Sequence, residues 1–332
     1  VDRLSTDLPP RQGAGTPPAG HEDEMGPWCS RLMLACSRDG LTFSRTFQAL
    51  GDQIGVPSAV VDSEGHLRVY YMDYGNGNAL AVAIRTHTGR WIHRRVSLHG
   101  VRGSPGPVDP MVVPLAEGRL RMYYMQADSD RSAIYSALSW DGLAFQEEPG
   151  RRFSTSGWIF DPFVLETPAG WLLVCGPEGR HSARSGNGLS FAADLGPFVV
   201  DGKPFMPYSG VRLSQGCRLY GSSSQPGEIV SVISPDGVRW SREPGVRLES
   251  RGLDPRQEEG ILPDHGLARL PDGTYVMAYL AIIPGSVEPQ GARSNSHSPA
   301  GVPGWETRPP GAGNDPDGQA VGAGIRAGTS RG

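Results

Sequence analysis

The sequence predicts an all-β protein built as a ring of similar blades, a five-bladed β-propeller, on three observations. First, one unit lies legibly between Val108 and Glu148. It opens on Val108-Asp109-Pro110-Met111-Val112-Val113, turns at Gly118, continues as the aromatic-rich run Leu120 to Met125, and returns as Ala133 to Leu138. Short apolar runs separated by Gly- and Asp-containing turns read as a β-meander. Second, the opening recurs near residues 58, 109, 161, 209 and 264, which are 51, 52, 48 and 55 positions apart. Third, a closing turn recurs independently, as Ser37-Arg38-Asp39-Gly40, Ser139-Trp140-Asp141-Gly142, Ser185-Gly186-Asn187-Gly188 and Ser234-Pro235-Asp236-Gly237, each followed three residues on by Phe or Trp. A degenerate copy is Thr86-His87-Thr88-Gly89-Arg90-Trp91, and the five glycines are 49, 53, 46 and 49 apart.

Taken in order, residues 1–28 are polar and rich in Pro and Gly, and are expected to form a disordered leader. Arg31 to Ala35 is a short apolar strand ending in the first closing turn, with no opening strand before it. At the other end, Ile261 to Leu270 and Thr274 to Ile283 form an opening and a second strand joined by Pro271-Asp272-Gly273, with no closing turn after them. The two half-units complement each other. N- and C-terminal strands are therefore expected to share one blade and close the ring, which removes two sheet edges. The others begin near 56, 108, 160 and 207, and the propeller spans 29–284. Residues 285–332, with 11 Gly and 6 Pro and no periodicity, are expected to be a disordered tail.

Second strands such as Leu67-Arg68-Val69-Tyr70-Tyr71-Met72 and Leu120-Arg121-Met122-Tyr123-Tyr124-Met125 carry long side chains on both faces, as a strand packed between blades requires. The closing turn explains itself structurally. Its Ser and Asp bond backbone amides, its Gly takes the positive φ, and its aromatic plugs the blade's outer edge.

A formal charge of −4 on 332 residues gives no electrostatic footprint for nucleic acid or a membrane surface. No apolar run reaches the length of a spanning helix. The first twenty residues lack the basic-then-apolar order of a signal peptide, so a cytoplasmic location is the expectation. None of the four cysteines, Cys29, Cys36, Cys175 and Cys217, forms a Cys-x-x-Cys, and no metal role is assigned to them.

The opening strands carry the functional signal, because the first strand of each blade lines the central channel. Asp109, Asp161 and Asp264 stand at their starts, with Ser58 and Ser209 taking the other two blades. Three acids around one axis repel and raise each other's pKa, an arrangement that holds one carboxyl protonated beside an ionised one. A calcium ion in the channel is the other reading of three converging acids. Trp158, Phe160 and Tyr208, in loops near the axis, are candidate sugar platforms, and His265 is placed to orient a hydroxyl or tune a neighbour.

Five blades, channel-facing Asp and Asp-Pro dipeptides resemble the five-bladed propeller glycoside hydrolases, the family-43 arabinanases, xylosidases and arabinofuranosidases with their invertase and levansucrase relatives. The resemblance covers about 29–284 and implies hydrolysis of an oligosaccharide or glycoside by an Asp base or nucleophile, a Glu acid and a second Asp that tunes it. Asp109, Asp161 and Asp264 match the Asp roles. No Glu starts an inner strand, and Glu178, Glu258 and Glu259 are the nearest substitutes. A propeller that binds sugar or protein without catalysis is therefore an alternative. A sialidase-like hydrolase is a second, though no Arg starts an inner strand to meet a substrate carboxylate.

Overall fold

The computed structural model describes residues 7–17, 25–101, 106–128, 131–191, 194–222 and 227–286. The described chain is all-β apart from four single 3₁₀ turns, and its strands form five blades. Blade I takes its inner strands, Ile261–Arg269 and Tyr275–Ile282, from late in the chain and its outer strands, Ser30–Ser37 and Ser44–Asp52, from early in it. Ser30–Ser37 pairs antiparallel with Tyr275–Ile282 along its whole length, from Ser30 opposite Ile282 to Ser37 opposite Tyr275. The two half-units read from the sequence thus lie in one sheet.

Blade II is Ile54–Val61, Leu67–Asp73, Ala79–Arg85 and Trp91–Arg95. Blade III is Val108–Pro114, Leu120–Asp128, Arg131–Ser139 and Ala144–Glu147, with Ser97–His99 added in parallel to its outer edge. Blade IV has three strands, Phe163–Thr167, Gly170–Cys175 and His181–Ser185, and a small hairpin, Val199–Val200 with Lys203–Pro204, follows it. Blade V is Pro207–Arg212, Cys217–Ser222, Glu228–Ser234 and Ser241–Arg242.

Apolar side chains from both faces of the second strands fill the seams between blades. Tyr70, Tyr71, Tyr123, Tyr124, Tyr220 and Tyr279 are all fully buried there. A buried tyrosine needs a partner for its hydroxyl, and three find it in the next blade's closing turn. Tyr70 donates to the Gly142 carbonyl at 3.0 Å, Tyr123 to Gly188 at 2.8 Å and Tyr220 to Gly40 at 2.9 Å. Arg68 and Arg218 add bonds to the Asp141 and Asp39 carbonyls. The Ser-x-Asp-Gly turn therefore does more than shape its own blade, because its buried glycine carbonyls receive a clip from the blade before. Between blades IV and V, where Val174 replaces the tyrosine, Arg184 donates to Gly237. The seam between blades I and II differs. Its degenerate turn at Gly89 has open space around it, whereas the other four turn glycines lie against side chains of the preceding blade.

Part of the stretch expected to be a disordered leader is packed. Leu8 is buried in the core between blades I and II, Leu8 N–H donates to His93, and Gly13 N–H to the Asp52 carboxylate. The expected tail lies outside the described residues beyond Ser286. All four cysteines are free, and Cys29, Cys175 and Cys217 are buried. Among the described residues no helix is long and apolar enough to cross a membrane.

Candidate active site at the blade axis

Four of the five inner strands carry a register shift near their start. In blades II and III the residue at the bulge, Val56 or Asp109, takes a left-handed φ of 50° or 57°, and Asp161 of blade IV has a φ of 51°. Each precedes a proline, Pro57, Pro110 or Pro162. A non-glycine residue in this region is strained, most of all a β-branched one, and such strain persists only where the surroundings impose it. A bulge re-aims a side chain, and here it does so at the same place in successive blades.

Pairing fixes which residues are equivalent. The second-strand residue facing the next blade is Tyr70, Tyr123, Val174, Tyr220 or Ala278, and opposite it stand Ser58, Met111, Phe163, Ser209 and Gly266. Two residues earlier come Val56, Asp109, Asp161, Pro207 and Asp264. The three acids are therefore equivalent, as the sequence predicts. Ser58 and Ser209 are not their counterparts but sit two residues further in. Both are buried. Ser58 Oγ accepts the Val112 N–H at 2.9 Å, a structural bond between blades II and III.

The three carboxyls converge at one end of the axis. Asp109 is 7% exposed, and its carboxylate accepts the backbone N–H of Asp161 at 3.2 Å. Burial pushes Asp109 up to about 6, partly offset by that bond. Burial, with the Asp109 charge, pushes Asp264 up to about 7. Asp161 is raised well above the ordinary carboxylate range by burial and by both other acids, Asp109 before Asp264. Asp161 thus feels the charge of both other acids, and the three carboxyls do not ionise independently.

All five blades contribute to a cavity of about 20 Å³ beside these acids, lined by Val56, Met111, Asp161, Phe163, Tyr208 and His265 among others. His265 is fully buried, with Nδ1 2.8 Å from the Pro263 carbonyl, and burial lowers it to about 4, so it is neutral. Its ring lies 5.7 Å from that of Tyr208. Burial, with Asp264 and Asp161 nearby, raises the Tyr208 phenol well above its usual value.

The sequence reading missed Tyr74. It follows the second strand of blade II, its ring rests against the backbone at Gly55, and after burial the charges that raise it are Asp109, Asp264 and Asp161. The signal was available: an aromatic one residue past a second strand, at the end of the blade where the acids sit.

Other expected residues fall elsewhere. Trp158 and Phe160 are half-buried, and Phe160 packs in the seam between blades III and IV without lining the axial cavity. Glu178 is exposed, with a φ of 54°, and is not among the groups acting on the three carboxyls. Glu258 is fully buried within blade I, paired with Arg45 at 2.7 Å and accepting the Tyr279 hydroxyl at 2.7 Å. Glu259 accepts the Gly285 N–H. Both glutamates therefore have structural partners. For a channel cation, the axial acids do not form a set with ligand atoms all within 4.8 Å; among the described residues that set is Asp62, Glu64 and His66.

No protein-family model and no curated protein matches the chain. Solved structures do share its fold. A thermostable family-43 glycoside hydrolase superposes with a TM-score of 0.51 at 14% identity, over 73% of this chain and 96% of that one. A candidate glycoside hydrolase from Parabacteroides distasonis gives 0.50 at 13% identity, over 83% and 96%. The fold expected from the resemblance is the fold these structures have.

Proposed function

We propose that the chain hydrolyses glycosidic bonds at the axial carboxylates. One observation carries the reading: three acids, equivalent by strand register, meet at one end of the axis in surroundings that separate their protonation. Asp161, whose carboxyl is raised by burial and by both other acids, is the general acid, which donates to the glycosidic oxygen as the bond to the anomeric carbon breaks. Asp109, ionised above about 6, is the base that takes a proton from the attacking water, whose oxygen bonds the anomeric carbon. Asp264 sets how firmly Asp161 holds its proton, since its charge acts on that carboxyl. Tyr74 and Tyr208 flank the acids and offer the sugar ring a partly apolar surface. The names of the fold neighbours point to the same substrate class.

An aspartic acid in place of the glutamate that the resemblance implies holds its carboxyl one methylene closer to the backbone. Asp161 therefore suits a bond seated deep against the inner strands. The small axial cavity favours a second reading, a module that binds sugar without turnover. Hydrolysis and binding measured in parallel on Asp109→Asn, Asp161→Asn and Asp264→Asn separate the two. The enzyme reading expects each variant to keep its ligand and lose turnover. Binding by the parent protein with no turnover on any glycoside supports the module.

A further inference from the structure

The unclipped seam between blades I and II opens at the end of the ring opposite the axial acids, where the first hairpin and the closing turn of each blade lie. A cavity of about 360 Å³ is found there, lined by His66, Arg85, Thr86 and His87 of blade II and by Leu270 and Asp272 of blade I. In the other blades a tyrosine or arginine reaches across to the turn; here the degenerate turn places His87 at the opening. The His66 and His87 rings are 4.2 Å apart, His66 just before the second strand and His87 just beyond the third.

Two carboxylates complete the group. His66 Nδ1 lies 3.5 Å from Asp62 Oδ2 and 3.4 Å from Glu64 Oε2. Those separations are long for hydrogen bonds, yet they match the edge of a tetrahedral zinc site, where bonds of about 2.0–2.1 Å put neighbouring ligand atoms about 3.3 Å apart. Asp62 Oδ2 also accepts Arg68 Nε at 2.7 Å, and a carboxylate oxygen has a second lone pair for an ion. Its other oxygen accepts the Glu64 and His66 N–H groups at 3.0 and 2.9 Å, which fixes the turn that holds both ligands. Glu64 is 75% exposed at its side chain and turns freely towards an ion. Arg85 brings a positive charge to the rim, facing Asp272.

We propose that Asp62, Glu64 and His66 bind a divalent transition ion of the zinc type at this seam, with His87, which stands outside that set but beside the His66 ring, turning in as the fourth ligand. Imidazole and carboxylate together select such an ion over calcium, which prefers oxygen alone. The ion would tie the turn of blade II to its first hairpin where the clip found elsewhere is missing.

The test is calorimetric titration of the full chain, stripped with EDTA, with zinc chloride. One ion per chain is expected, and both His66→Ala and His87→Ala should weaken binding by about tenfold or more. His87 is exposed, so its variant isolates ligation from folding. Asp161→Asn should bind zinc as the parent does. Absence of a stoichiometric site, or binding that survives both histidine substitutions, overturns the proposal, as does loss of binding in Asp161→Asn.

Discussion

The carboxylate of Asp109 accepts the backbone N–H of Asp161 at 3.2 Å, so the acid of one blade is held by the strained backbone of the next. Both residues have left-handed φ and both precede proline. The pair is thus a feature of the seam, set by the bulge at Asp109 and the left-handed backbone at Asp161, and it separates the protonation of two equivalent carboxyls.

The first prediction concerns pH and stability. A carboxyl raised from 3.8 to about 6 or 7 keeps its proton in the folded chain where the unfolded chain has lost it. Stability contributed by Asp109 and Asp264 is therefore present below about pH 4 and declines as pH rises to about 7. Asp109→Asn removes this loss while keeping an acceptor for the Asp161 N–H. It should be more stable than the parent by about 3 kcal/mol at pH 8 and no more stable at pH 4, as urea unfolding at the two pH values would show. An equal difference at both would mean that ionisation is not the cause.

Second, the clips are worth measuring one at a time. Tyr123→Phe leaves the Gly188 carbonyl without its partner and should cost about 1–2 kcal/mol in urea unfolding. Tyr70→Phe should cost a similar amount. An unchanged midpoint for both would show that the turns do not depend on the neighbouring blade.

Third, Arg121 is held by both oxygens of Glu148 at 2.7 and 2.9 Å, and Ser136 donates to the same carboxylate at 2.6 Å. Glu148→Ala leaves a buried guanidinium unpaired and should destabilise the chain by about 3–5 kcal/mol. Arg218 with Glu243 repeats the arrangement in blade V, and Glu243→Ala should behave alike. Losses below 1 kcal/mol would show that water satisfies the arginines.

Fourth, Gly266 stands where blade I meets blade II backbone to backbone. A Cβ there would lie 2.5 Å from Ala59 N and 2.8 Å from the Pro57 carbonyl oxygen. Neither neighbour is a flexible side-chain end, so Gly266→Ala should cost about 1–3 kcal/mol through displaced strands, read as a lower thermal midpoint. An unchanged midpoint would mean that the blades slide apart freely.

The repeat made the blades legible, because strand alternation and turn chemistry are local properties and each recurs with its own period. Asp109, Asp161 and Asp264 were legible for the same reason. The assignment of Ser58 and Ser209 failed because the bulges shift the register by residues that no pattern of polarity marks; equivalence then had to come from pairing with Tyr70 and Tyr220. Tyr74 was missed because its place beside the acids depends on how blade II packs on the ring. Glu178 and Glu258 show the converse: proximity in sequence to a second strand or to Asp264 did not bring either to the axis, and Glu258 answers instead to Arg45 and Tyr279.

The most direct measurement is hydrolysis of a panel of nitrophenyl glycosides and plant oligosaccharides by the full chain, with Asp161→Asn beside it. Removal of a general acid costs about 10²–10⁴-fold in rate, so the variant should lose at least a hundredfold on whichever glycoside the parent cleaves, and lose less where the leaving group needs no proton. Turnover that Asp161→Asn leaves intact, or no turnover on any member of the panel, would contradict axial acid catalysis.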